Sequence, residues 1–178
     1  MILEETINRL LRDVVDLILV SPGYTVKAKQ KDAPRPTGNY GDVDFVSDTS
    51  LGWEQFENVN RDVDSDIDVT SKAMRQIMMS IGFYRDNSVD NARRVRSAII
   101  RESIQSLFRE ANLGLARRSE VREISESLEN GWEERAQFDI FLSAVGTDAD
   151  IVNSISSVDI GGQYQYRGLI YNLNIEVQ

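Results

Sequence analysis

Residues 75–113 read RQIMMSIGFYRDNSVDNARRVRSAIIRESIQSLFREANL, and this stretch decides the fold. In its first part, apolar residues occupy every second position, at Ile77, Met79, Ile81 and Phe83. Successive side chains of a strand point to opposite faces of a sheet, so this alternation predicts a strand with one apolar face. The polar run that follows predicts a turn into a helix.

The second part of the stretch predicts one long helix over about residues 88–112. Its apolar residues recur at helical spacing, at Ala92, Val95, Ile99, Ile104, Leu107, Phe108 and Ala111. This spacing places them on one face, which we expect to be buried against the strand. The opposite face is rich in arginine and carries Arg93, Arg94, Arg96 and Arg101.

The N-terminal third of the chain predicts another helix and a long hairpin. Apolar residues recur at helical spacing over about residues 3–19, and Pro22–Gly23 ends that helix. Residues 42–70 are polar and acidic, and predict a long acidic flap or hairpin that leads into the strand at 75–84. A connection of this length usually has a function of its own.

The C-terminal part of the chain predicts the strands that close the sheet. Apolar residues alternate over 136–145 and again over 169–177, whereas Gly161–Gly162 predicts a turn. The predicted fold class is therefore α+β, with a mostly antiparallel β-sheet packed against two main helices. We expect residues 1–178 to form a single domain.

The composition excludes several classes of function. The chain has 178 residues and contains neither cysteine nor histidine. Disulfides, thiolate chemistry and histidine-dependent catalytic triads are therefore excluded. No apolar run approaches the roughly 20 residues of a membrane span, and the acidic start of the chain is not typical of an export signal. We expect a soluble intracellular product.

The charges are strongly separated along the sequence. The net charge is −9, which disfavours a surface that clamps the backbone of a nucleic acid. Residues 32–68 hold ten acidic residues and two arginines, whereas residues 89–118 hold seven arginines and three acidic residues. This distribution suits charge-complementary contacts between copies of the chain or with partner proteins.

An acidic ladder runs along the predicted flap, at Asp62, Asp64, Asp66 and Asp68. At every second position, the four carboxylates share one side of an extended segment, where they can coordinate Ca²⁺ or Mg²⁺. The EF-hand pattern is not met, because Ile67 stands where its glycine belongs. We favour a solvated strand face or an inter-subunit contact over a metal site, and we expect no metal or cofactor.

The search for a catalytic motif gives no enzyme class. The sequence has no GxSxG elbow, no Walker loop and no GxGxxG after a strand. Glu133, Glu134 and Asp139 adjoin a predicted strand, but no lysine follows residue 72 to complete a nuclease site. We therefore do not expect an enzyme.

The arginine-rich helix face allows two interpretations. Its guanidinium groups can bind phosphate, as in a nucleic-acid-binding helix, or form salt bridges within or between subunits. No aromatic residues are interleaved with the arginines, so we favour salt bridges. Trp53 and Phe56 are interpreted as apolar anchors of the core or of an interface.

Three segments carry a resemblance to a known family: APRPTGNY (33–40), SIGFYRDNS (80–88) and ERAQFDIFLSAV (134–145). With these segments and the long helix, the chain resembles the tail terminator or neck terminator proteins of tailed bacteriophages. Asn39 departs from the family pattern, in which a proline-type residue is expected before the tyrosine. The resemblance spans nearly the whole chain.

The resemblance implies a structural protein of the virion tail or neck, made in the host cytoplasm. It implies a ring, expected to be a hexamer, that caps the tail tube and joins it to the head connector. The implied partners are further copies of the chain, the tube and sheath proteins, and the neck or head-connector protein. Genomic DNA would pass through the channel without specific binding, and no membrane is involved.

Several residues are candidates for contacts between subunits or for the channel wall. They are Asp42, Asp44, Asp62, Asp64, Asp66, Asp68, Arg93, Arg94, Arg96 and Arg101, with Trp53 and Phe56 as apolar interface anchors. Two alternatives remain open. One is another head–tail joining or tail-tube protein, and the other is a metal-dependent phage enzyme that uses the ladder Asp62–Asp68.

Overall fold

The computed structural model describes residues 4–31, 33–60, 67–128, 131–152, 158–166 and 169–177. Within these residues the helices are α1 (Glu4–Leu19), α2 (Ser88–Ala98) and α3 (Glu102–Glu110). The strands are β1 (Thr25–Lys27), β2 (Tyr40–Asn60), β3 (Ile67–Tyr84), β4 (Leu113–Arg118), β5 (Arg122–Glu123), β6 (Glu126–Leu128), β7 (Gly131–Glu133), β8 (Arg135–Val152), β9 (Val158–Tyr166) and β10 (Leu169–Val177). The predicted α+β class with a mostly antiparallel sheet is confirmed.

The chain divides into two compact units. The first contains Met1–Glu54 and Ala73–Gly146, and the second contains Gln55–Lys72 and Thr147–Gln178. In the second unit, β9 and β10 form an antiparallel hairpin in which Val158 pairs with Val177. That the whole chain acts as one domain stays a prediction.

The first unit is built on the sheet β1-β2-β3-β8-β4, in which β5 also pairs with β8. The described residues of the predicted flap lie in two long strands, β2 and β3, which are neighbours in the sheet, and the alternating apolar residues 77–83 form the end of β3. The edge strand β1 is parallel to β2, and β4 is antiparallel to β8. Strands β6 and β7 form a separate two-stranded antiparallel sheet.

The hydrophobic core lies on one face of this sheet, under all three helices. The alternating residues predicted for β3 are buried there, and so are the matching residues of β8. Helix α1 contributes Ile7, Leu11, Val14 and Val15, and α2 and α3 contribute Ala92, Val95, Ile104 and Phe108. All three described helices pack on this one face, and we call the opposite side of the sheet, which none of them covers, the helix-free face. Because Val43 is buried in the core, its neighbours Asp42 and Asp44 lie on the helix-free face.

The prediction of a single helix over residues 88–112 is wrong, because this stretch forms two helices, α2 and α3. The break lies between Ala98 and Glu102, where Arg101 takes an extended conformation with φ −65° and ψ 144°. The side-chain amide of Gln105 donates to the carbonyl oxygen of Ile99 at 2.8 Å, which satisfies a carbonyl freed by the break. The change of direction allows both Ile99 and Ile104 to be buried, although five positions separate them.

The prediction of a turn at Gly161–Gly162 is also wrong. Both glycines lie inside β9, where they pair with Asn174 and Leu173 of β10. The hydrogen-bonded ladder between the two strands keeps the backbone extended there, despite the low strand propensity of glycine. Among the described residues, no helix combines the length and the apolar character needed to cross a membrane.

Candidate assembly site

A cluster of arginines and tyrosines surrounds one buried carboxylate in the first unit. Glu133, at the end of β7, is only 7% exposed. Its Oε2 accepts from Arg35 Nη2 at 2.7 Å and from Arg135 Nε at 2.6 Å, and its Oε1 lies 3.6 Å from Arg85 Nε. A buried carboxylate requires such partners, since an unpaired charge in the interior is costly.

The same arginines pack on two stacked tyrosines. The rings of Tyr40 and Tyr84 lie 4.5 Å apart and nearly parallel. The guanidinium group of Arg35 lies within 6 Å of both ring centroids, and its Nε donates to the Tyr40 hydroxyl oxygen at 2.7 Å. Arg85 lies over Tyr40 and Arg135 over Tyr84. Cation–π and stacking contacts therefore add to the ion pairs.

We call Arg35, Tyr40, Tyr84, Arg85, Glu133 and Arg135 the arginine–tyrosine cluster. Burial alone would raise the pKa of Glu133, but the hydrogen bonds from Arg135 and Arg35 outweigh it and hold the pKa below its usual value. The carboxylate therefore stays charged at neutral pH. Its role is structural, because it links Arg35 to Arg135 at the start of β8.

A pocket of about 250 Å³ opens on the helix-free face beside this cluster. Asp42, Asp44, Ser80, Gly82, Tyr84 and Gln137 of the sheet line it, together with Lys29, Ile124 and Arg135. Lys29 Nζ lies 2.6 Å from Asp44 Oδ2, so that carboxylate has a cationic partner. The Tyr84 hydroxyl donates to Asp42 Oδ2 at 2.9 Å.

Asp42 differs from the other carboxylates of the site. Within the described residues no cation forms an ion pair with it, and the nearby Arg135 pairs with Glu133 and Glu126 instead. Burial raises the pKa of Asp42, although the Tyr84 hydrogen bond opposes the shift. Burial and the negative charge of Asp42 also raise the pKa of Tyr84. Gly82 leaves room for this carboxylate, because a Cβ at that position would clash with Asp42 Oδ1 unless the side chain moved.

The predicted arginine face divides into two parts with different roles. Arg93, Arg94 and Arg101 are exposed. Arg93 Nη1 lies 3.6 Å from Oδ1 of Asp90, three residues earlier in α2. Arg96 instead turns towards the chain beyond β4, where its Nε donates to the Ser119 carbonyl oxygen at 2.7 Å. Its Nη2 also pairs with Glu120. Arg96 therefore holds a loop of its own subunit.

The predicted aromatic anchors are exposed and the acidic ladder is mostly outside the described residues. Trp53 is 96% exposed and Phe56 is 66% exposed, so neither is a core residue of its unit. Asp62, Asp64 and Asp66 lie outside the described residues, and Asp68 is placed in β3 without a described side chain. Their interpretation as a metal site or as a contact stays a prediction.

Comparison with known proteins identifies the family. The family described as phage neck terminator protein matches residues 2–167. The chain belongs to this family. No curated protein sequence matches the chain. The match confirms the resemblance drawn from the three sequence segments and indicates a structural protein of the phage neck.

The arginine–tyrosine cluster joins the segments on which the resemblance to the neck terminator family rests. Arg35 and Tyr40 come from 33–40, Tyr84 and Arg85 from 80–88, and Arg135 from 134–145. Sequence reasoning missed this cluster, although all of its residues except Glu133 lie in the quoted segments. The available signal was that arginine and tyrosine occur together in two of the segments. No rule of sequence spacing predicts a contact between segments so far apart.

Proposed function

We propose that the chain is a neck terminator that forms a hexameric ring, caps the tail tube and joins it to the head connector. The match of the family over residues 2–167 carries this proposal. Neighbouring copies, the tube and the connector are the proposed partners, with the sheath protein as a further one. DNA passes through the ring without specific binding.

The chemistry of the first unit supports an assembly role over an enzymatic one. Two buried carboxylates pair with arginine: Glu133, just before β8, pairs with three arginines, and Asp139, within β8, pairs with Arg122 at 2.6 Å. Glu133 is a poor general base, because its arginine partners hold its pKa below the usual value and so weaken its affinity for a proton. The fixed charges instead shape a rigid surface.

The separated charges and exposed aromatic residues support contacts between copies. The strand pair β2–β3 carries acidic residues that suit either the channel wall or a neighbouring subunit, since an acidic wall repels passing DNA. The exposed arginines Arg93, Arg94 and Arg101 are the proposed counterpart. Trp53 and Phe56 are the proposed apolar anchors, because buried aromatic residues contribute most of the energy of many interfaces.

Electron microscopy and phage genetics test the proposal together. The purified protein should form sixfold rings in negative stain, and phage that lack it should accumulate heads and tails that do not join. Restoring the chain from a plasmid should restore joined particles, which controls for effects on neighbouring genes. If an antibody against the chain labels the whole length of the tail, the chain is a tube protein instead. If heads and tails join normally in phage that lack the chain, the proposal is contradicted.

A further inference from the structure

The pocket on the helix-free face contains a carboxylate, Asp42, with which no cation of the described residues forms an ion pair. Among its lining residues, Lys29 is paired with Asp44, and Arg135 is paired with Glu133 and Glu126. Within the described residues, the side-chain hydrogen bond to Asp42 comes from a neutral donor, the Tyr84 hydroxyl. A half-buried carboxylate in this setting gains from a cation that enters the pocket.

The pocket has room for such a group. Its volume of about 250 Å³ is several times the roughly 30 Å³ that one water molecule occupies in the liquid. Polar side chains surround the space, with Ser80 and Gln137 on the sheet and Asp44 beside Asp42. A planar guanidinium group, with several donors in a fixed fork, fits a cavity lined by carboxylate and amide oxygens.

The same unit exposes guanidinium groups that lack a carboxylate. Arg94 of α2 and Arg101, which precedes α3, are exposed. In the described part of the chain neither forms an ion pair, unlike Arg93, Arg96 and Arg109. Within the described residues of this unit, Arg94 and Arg101 are therefore cations without an ion-pair partner, Asp42 is an anion without one, and they lie at separate places.

These groups cannot meet within one subunit. Val43 faces the core beneath the helices, so Asp42 lies on the helix-free face. Arg94 and Arg101 lie on the solvent side of the helical layer that covers the other face. A contact between two different patches of identical subunits is head-to-tail, and such contacts close into rings when the rotation permits.

We propose that the pocket at Asp42 receives the guanidinium group of Arg94 or Arg101 from a second copy of the chain. This inference rests on the proposed ring, because only a neighbouring copy can bring the two faces together. The arginine supplies the missing positive charge and donates to the Asp42 carboxylate. The pairing fixes the direction in which each subunit follows the previous one.

Cysteine cross-linking tests this contact directly, because the chain contains no cysteine of its own. Ile124→Cys places a thiol at the exposed rim of the pocket, and Ser97→Cys places one between the two arginines in sequence. A short bismaleimide should then cross-link the double variant into a ladder of bands on a denaturing gel, from the dimer up to the full ring. Each single variant joins only like positions and should stop at dimers or remain monomeric.

Asp42→Asn in the double-cysteine background is the matched test of the charge. Asparagine keeps an acceptor for the Tyr84 hydroxyl, so the fold should be retained, and circular dichroism on heating checks this. The ladder should weaken at least tenfold in yield relative to Asp13→Asn, which alters an exposed acidic residue of α1. Rings seen by sedimentation without a ladder, or an unchanged ladder in Asp42→Asn, would overturn the pocket contact while leaving the proposed function intact. A chain that stays monomeric at every concentration would contradict the ring itself, and this contact with it.

Discussion

Glu133 is the residue on which the arginine–tyrosine cluster depends. Glu133→Gln leaves Arg35, Arg85 and Arg135 close together without their shared counter-charge. We expect the free energy of unfolding to fall by about 2–3 kcal/mol, as for hydrogen bonds that involve charged groups. Urea denaturation followed by circular dichroism measures the loss. Glu123→Gln, an exposed change on β5, should stay within about 0.5 kcal/mol of the parent chain, and an equal effect of the two changes would contradict the role of Glu133.

Asp42 and Glu133 give opposite dependences of stability on pH. The pKa of Glu133 is lowered in the folded chain, so its contribution is present above the pKa of the unfolded chain and is lost as the pH falls. The pKa of Asp42 is raised, so its contribution is present at low pH and is lost as the pH rises through its folded pKa.

Two variants separate these contributions. Relative to the parent, Asp42→Asn should gain stability as the pH rises from about 3 to 7, whereas Glu133→Gln should lose it over the same range. Urea denaturation at several pH values, at a concentration where the chain is monomeric, measures both differences. The same slope for the two variants would contradict the assignment.

Among the elements, α2 shows that arginines on one helix have unequal roles. Arg96 connects the helix to the chain at Ser119 and Glu120, whereas Arg94 is exposed and makes no ion pair within the described residues. We expect Arg96→Ala to lower the free energy of unfolding by about 1–2 kcal/mol, because it removes a charged donor from a backbone carbonyl. Arg94→Ala should change it by less than about 0.5 kcal/mol. Thermal and urea unfolding of the two variants compares them, and equal losses would show that Arg96 has no special role.

The elements themselves were largely predictable from the sequence. The alternation of Ile77, Met79, Ile81 and Phe83 identifies the strand because one face must enter the core. The helix break was less evident, yet the five-residue step from Ile99 to Ile104 departs from the three- and four-residue spacing of a continuous helix. The place of Gly161–Gly162 in β9 depends on the pairing with β10, which local sequence does not specify.

The candidate site was predictable only in its charges. Arginine content identified the helix face, but the inward turn of Arg96 depends on a loop 23 residues further along the chain. The pair of Arg35 and Glu133 joins positions 98 residues apart, and composition and spacing do not reveal such a contact. Burial of Glu133 and the missing cation at Asp42 emerge only when the sheet brings β2, β3 and β8 together.

For the whole molecule, the exposed aromatic side chains are the part of the surface that folding alone does not explain. A side chain as large as Trp53 that is 96% exposed has no folding benefit in the isolated chain, whereas an interface would bury it. The chain has two tryptophans, and the other, Trp132, is 71% exposed. Trp132→Phe therefore leaves Trp53 as the single tryptophan fluorophore.

In the Trp132→Phe chain, we expect the emission of Trp53 to shift to shorter wavelength as the protein concentration rises and the ring forms, because the indole leaves water. Trp53→Ser should fold with a free energy of unfolding within about 0.5 kcal/mol of the parent, since the side chain makes little contact in the monomer. It should nevertheless need at least tenfold more protein to assemble, which sedimentation velocity measures. The reverse pair, Trp53→Phe with Trp132 retained, controls for the fluorophore. Rings that form with no change in Trp53 emission would place this residue outside the interface.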